Sequence, residues 1–136
     1  MGPETRFDRL LRFGRALVVG GGATLTDISI FTACVRALGV APAIARVPAL
    51  LAGACFQFFG NRSFTFRAAA GSLTRQAKLF LAFEAVAFVL NWATFRVLLE
   101  YLAFLPVELV TFVASFLVFV GFAYPMRRHV IFKLPR

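Results

Sequence analysis

Four long apolar runs dominate this chain. They cover residues 16–35, 41–60, 79–99 and 106–124, and each is 19 to 21 residues long. A helix rising 1.5 Å per residue needs about 20 residues to cross a hydrocarbon layer of about 30 Å. Backbone groups in lipid must pair within their own segment, so helices are the expected spanning form. Composition agrees. Of the 136 residues, 60% are apolar and 15% charged, against about 25% charged in an ordinary soluble domain. A chain this short leaves much of its surface outside any core, and lipid can cover that surface. The expectation is an all-α membrane protein with four transmembrane helices in one domain spanning 1–136. The first 15 residues are polar and basic, and the run behind them is long enough to span, so no cleavable leader is expected. Cys34 and Cys55 lie in apolar runs and read as buried free thiols rather than a disulfide or metal site.

The breaks between runs carry turn-forming residues. Gly39, Val40 and Pro42 predict a tight turn after the first helix. Pro48 either kinks the second helix or marks its start. Pro106 suits a first helical position. Residues 67–78 form the longest polar segment, read as a short loop leading into an interfacial helical turn.

The net charge is +9, but the basic residues cluster between apolar runs instead of lining one polar face. That pattern fits contact with anionic lipid rather than nucleic acid. Arg6, Arg9, Arg12 and Arg15 precede the first helix; Arg62, Arg67, Arg75 and Lys78 lie between the second and third; Arg127, Arg128, Lys133 and Arg136 follow the fourth. Only Arg36, Arg46 and Arg96 fall toward the other side, beside Glu100 and Glu108. The positive-inside rule then places both termini and the central loop in the cytoplasm of a multi-pass inner-membrane protein.

The chain also repeats. Residues 23–27 (ATLTD) align with 87–91 (AFVLN), and 56–66 with 122–132, setting Asp27 on Asn91, Arg62 on Arg128 and Phe66 on Phe132. Each half holds two helices, so the halves share one orientation: two parallel two-helix repeats.

Polar residues inside the runs are the candidate functional groups. A carboxylate at mid-span, such as Asp27, costs about 2.5–3.5 kcal/mol on insertion scales, so a partner or a wet cavity is expected. It can be a structural staple between helices, or it can handle substrate or protons. Gly20, Ala23, Thr24 and Cys34 share its face, and small residues there suit close helix packing. Glu84 and Asn91 form a polar stripe with Ala87 on the third helix, either an interface or a pathway. Arg62 is the first choice of partner for Glu84. Arg46 is placed to reach toward Asp27 or a phosphate. Arg96 has Glu100 four residues on, a ready salt bridge. The triplet Gly20-Gly21-Gly22 lacks the strand and Lys-Ser/Thr of a phosphate loop and reads as helix packing. His129 is the only histidine, and Ser63, Thr65 and Ser115 lack a nearby base, so no catalytic constellation, metal site or cofactor is expected.

The most specific segment is Phe56-Gln57-Phe58-Phe59-Gly60-Asn61-Arg62-Ser63-Phe64-Thr65-Phe66. It resembles the signature after the second helix of the GtrA-like family, roughly Asn-Phe-x-x-Asn-Arg-x-Trp-Thr-Phe. Phe58, Asn61, Arg62, Thr65 and Phe66 match it, while Gln57 replaces Asn and Phe64 replaces Trp. The basic start, Gly20-Gly21, Thr24 and Asp27 are also similar to the family. The resemblance implies a four-helix, non-enzymatic membrane protein of cell-surface polysaccharide synthesis. Such a protein would move a polyprenyl-phosphate-linked sugar across the cytoplasmic membrane for a separate membrane glycosyltransferase, and four helices alone make a homodimer plausible. On that reading Asn61 and Arg62, with Arg128 as repeat equivalent, meet the phosphate. Gln57, Asp27, Asn91, Glu84 and Arg46 supply further substrate contacts. The Phe-rich flank (Phe56, Phe58, Phe59, Phe64, Phe66) meets isoprenoid or acyl chains. The bland alternative is an interfacial girdle with basic anchors. Two other functions stay open: a scaffold that recruits a glycosyltransferase, and a small proton-coupled exporter using Glu84 or Asp27.

Overall fold

The computed structural model describes residues 2–134, so Arg136 of the orientation argument lies outside the described residues. Among the described residues, four helices are long and apolar enough to cross a membrane: Arg6–Ala37, Pro42–Thr65, Leu73–Tyr101 and Val107–Ile131. They are α1 to α4 below. No more than 22% of the residues in any of their apolar windows are buried within the chain. Exposed Leu, Val, Ile and Phe run along all four, a surface that hydrocarbon covers and water would not.

Each helix outruns the apolar run that predicts it. A hydropathy run stops at the first charges, whereas a helix stops where its caps put it. Thr5 caps α1: its hydroxyl accepts from the Asp8 N–H, and the Asp8 carboxylate accepts from the Thr5 N–H at 3.0 Å, a reciprocal capping box. Ser72 caps α3 through the Arg75 N–H, so the polar stretch before residue 79 is already helical. Pro42 opens α2, and Pro48 sits inside it, leaving the carbonyl four residues back without a backbone donor. Pro106 is the cap of α4 rather than its first residue.

The chain divides into two compact units, one up to Ala69 and the other from Ala70. Each is a hairpin of two helices. In the first unit the seam is built from small residues: Ala16, Val19 and Ala23 of α1, and Ala45, Ala49 and Gly53 of α2, are buried. A Cβ on Gly53 would stand 3.2 Å from the Ala23 carbonyl oxygen and 3.2 Å from Asp27 Cβ. Such close backbone approach is how helices associate without a hydrophobic drive between them. Of the glycine triplet only Gly22 faces a neighbour, the Phe56 ring; Gly20 and Gly21 face open space, against the packing role expected for all three. Thr24 is also exposed, and its hydroxyl donates back to the Gly20 carbonyl. Cys55 is exposed and Cys34 half-buried, so neither thiol is sealed in a core; both ride on helix flanks.

The second unit buries Gln76 and Phe80 of α3, and Val110, Ala114 and Val118 of α4. The repeat read from the sequence is visible in backbone geometry. Residues Asn61–Thr65 and Arg127–Ile131, 66 apart, are both π-helical turns. They close with equivalent bonds, Phe66 N–H to Asn61 O (2.9 Å) and Phe132 N–H to Arg127 O (3.0 Å). Both first residues, Asn61 and Arg127, are buried. A wide turn of this kind is uncommon and tends to mark functional segments.

The ends of α1 and α2 match as well. After α1, the Leu38 N–H reaches Ala33 O and the Val40 N–H reaches Cys34 O, with Gly39 at φ +65°. After α2, the Phe66 N–H reaches Asn61 O and the Ala68 N–H reaches Arg62 O, with Arg67 at φ 50°. This is a left-handed helix stop that glycine fills without steric cost. The first uses glycine and the second uses arginine.

Candidate functional site

In each unit an ion pair joins the two helices within their spans. In the first, Asp27 of α1 accepts from Arg46 of α2 at 2.7 Å. The carboxylate is largely covered, whereas the Arg46 side chain is 50% exposed. The bond therefore holds a cation on α2 with one side open to whatever surrounds the unit. Gly53 makes this possible: its missing side chain lets α2 lie against the Asp27 backbone and Cβ. The expected reach of Arg46 toward Asp27 is what the structure has.

In the second unit Glu84 of α3 pairs with Arg127 at 2.5 Å. The sequence reading favoured Arg62 for this role. Arg62 instead turns back over its own loop and donates to the Ala69 carbonyl at 2.7 Å. The Arg127 side chain is 4% exposed, and its guanidinium lies 5.6 Å from the centroid of Phe80, a cation–π arrangement. Seven residues along α3, the Asn91 amide donates to Ser115 Oγ of α4 at 2.9 Å. The polar stripe of α3 therefore faces α4 over two turns. Asp27 and Asn91, paired by the repeat, both serve as polar contacts between the helices of their own hairpins.

Arg127 was not among the predicted site residues. The repeat held the signal, since an offset of 66 sets Arg127 on Asn61. The same offset sets Arg128, a predicted site residue, on Arg62. Arg128 and Gln57 are half-buried. Arg96 and Glu100 are both exposed, and among the described residues no ion pair joins them. On an open helix face the side-chain entropy lost offsets the weak attraction of such a pair. Within the aromatic flank, Phe56, Phe59 and Phe64 are exposed. Phe58 is buried instead and meets Phe59 edge-on at 5.1 Å, so it is packing rather than a lipid contact.

The signature segment folds around the π-helical turn after α2. Asn61 is fully buried and Thr65 is 2% exposed. Arg15 of α1 lies over the Phe64 ring at 5.6 Å. Each unit also has a basic cleft beside its last turn. One, of about 510 Å³, is lined by Arg12, Arg15, Thr65 and Arg67 among others. The other, of about 870 Å³, is lined by Ser72, Arg75, Gln76 and Lys133 among others.

These features define a multi-pass helical membrane protein built from two repeated hairpins, each carrying a polar contact within its span and basic groups at its last turn. A family model described as "GtrA/DPMS, transmembrane domain" matches residues 15–132. The chain belongs to that family, which places it among membrane proteins of glycan and polysaccharide synthesis. No match was found among curated proteins or solved structures.

Proposed function

We propose that this protein translocates a polyprenyl-phosphate-linked sugar across the cytoplasmic membrane and delivers it to a separate membrane glycosyltransferase. The observation that carries the reading is the half-exposed Arg46, held by Asp27 inside an apolar span. A charge in hydrocarbon is expensive; the bond to Asp27 staples α1 to α2, and it leaves half of the Arg46 side chain open. An anionic headgroup crossing the span has a use for it. The family membership and the basic residues beside the signature turn support the same reading.

Both termini and the central loop lie in the cytoplasm, where Asn61 and Arg62 receive the phosphate. Single cysteines at Gly71 and Lys133 should stay unlabelled by an impermeant reagent added outside intact cells, while cysteines in 38–41 and 102–105 should react. Outside labelling of Gly71 refutes the orientation.

Arg62→Lys tests the phosphate role. Lysine keeps the charge and can still donate to the Ala69 carbonyl, but it loses the planar fork that binds phosphate oxygens in pairs. Surface glycosylation should fall while protein level and membrane insertion stay at wild type. Full glycosylation at normal expression would refute the phosphate role of Arg62.

A further inference from the structure

The cleft of the first unit is charged: Glu4, Asp8, Arg12, Arg15 and Arg67 line it. Of the residues that line it, Glu4 forms an ion pair with Arg12, and Asp8 is held by the backbone and hydroxyl of Thr5. Arg15 and Arg67 also line it, and among the described residues neither has a carboxylate partner. Thr65 lines the same cleft. Its hydroxyl, and both amide atoms of Asn61 four residues earlier on the same face of the turn, are buried without any hydrogen-bond partner. Buried polar groups are nearly always satisfied, so an orphaned amide and hydroxyl four residues apart in one turn point to a partner that arrives from outside.

The second unit shows what the same position looks like when the protein closes it. There the equivalent of Asn61 is Arg127, which fills the turn and pairs with Glu84. The equivalent of Thr65 is Ile131, buried and apolar. One hairpin fills these two positions with an ion-paired arginine and an aliphatic side chain, and the other with an amide and a hydroxyl.

Arg67 adds an independent sign. It holds a left-handed conformation, φ 50°, at a helix stop of the kind that α1 ends with Gly39. A residue with a Cβ is strained there, and strain of this sort is retained where a side chain has a task.

We propose that this cleft binds a phosphate group, with Arg15 and Arg67 as its cations and Thr65, backed by the buried Asn61, as the hydrogen-bond donor beneath it. The inference deepens the reading above and rests on it for the identity of the lipid. A polyprenyl phosphate and a bilayer glycerophospholipid both present the required group. Two guanidiniums without a carboxylate partner, beside a buried hydroxyl, suit a compact oxyanion better than a neutral sugar.

The full chain, purified in neutral detergent, is titrated with farnesyl phosphate, farnesol and dihexanoyl phosphatidic acid, and affinity is read from ligand-dependent shifts in thermal unfolding. Farnesyl phosphate should stabilise the wild type and farnesol should not. Arg67→Gly is the diagnostic variant. It should raise the unfolding temperature of the ligand-free protein by removing the strain, and weaken farnesyl phosphate about tenfold by removing a cation. Arg15→Gln should weaken it similarly, Thr65→Val less, and Lys133→Gln in the other cleft should change nothing. Preference for farnesyl phosphate over phosphatidic acid assigns the cleft to the carrier lipid; equal binding assigns it to the headgroups of the bilayer. Wild-type affinity in both arginine variants, or an equal loss with Lys133→Gln, overturns the cleft. So does a wild type that binds neither phosphate. Translocation measured in vesicles assumes nothing about this cleft, so the wider reading stands or falls separately.

Discussion

Replacing Arg127 with leucine should be among the most damaging single changes in the second unit. The Arg127 side chain is 4% exposed, and its removal leaves Glu84 facing a helix seam without its cation. Breaking a buried ion pair from one side typically costs about 3–5 kcal/mol. Glu84 keeps 34% of its side chain exposed, which puts the expected loss near the lower end, about 3 kcal/mol. Part of that comes from the Phe80 ring, whose cation–π contact is worth about 0.5–2 kcal/mol. The check is reversible unfolding by SDS in mixed micelles, run as a double-mutant cycle with Glu84→Gln. The double variant should recover much of the loss, because an uncharged pair no longer strands a carboxylate. Equal loss in the single and double variants would mean that Arg127 stabilises by packing alone.

Exchanging Asp27 and Arg46 separates structure from transport. Asp27→Leu should strand Arg46 on an apolar span, at a cost of up to about 2.5–3.5 kcal/mol by insertion scales, less what the half-exposed side chain recovers by reaching toward polar surroundings. Asp27→Arg with Arg46→Asp restores the pair with its polarity reversed. If the pair only staples α1 to α2, the exchanged protein should fold and support surface glycosylation normally. The account expects the fold without the activity, since the open side of the pair would then present a carboxylate to an anionic headgroup. Normal glycosylation by the exchanged variant would reduce Asp27 and Arg46 to a staple.

The spans were legible because lipid imposes a length and a composition that few sequences satisfy by accident. Helix ends were not, since Thr5, Ser72 and Pro106 act through backbone geometry that hydropathy ignores. The repeat was legible at Asn61 and Arg127 as an alignment, but not as a pair of π-helical turns. The partner of Glu84 was misread because depth alone ranked Arg62 first, while the fold places Arg127 against α3 and turns Arg62 onto its own loop. The burial of Asn61 and Thr65 had no sequence signal beyond their place in the family signature. Asparagine and threonine at the end of a span read as surface residues until the turn rolls them inward.

Translocation can be measured on the purified protein itself. Purified protein is placed in liposomes carrying a short-chain polyprenyl-phosphate hexose with a fluorophore that an impermeant reductant bleaches. In protein-free vesicles only the outer-leaflet probe should bleach. With the protein present, the inner-leaflet probe should become accessible as well, and a probe lacking the phosphate should not. Folded, inserted protein that leaves the inner-leaflet pool untouched, at the level of empty vesicles, would contradict the account.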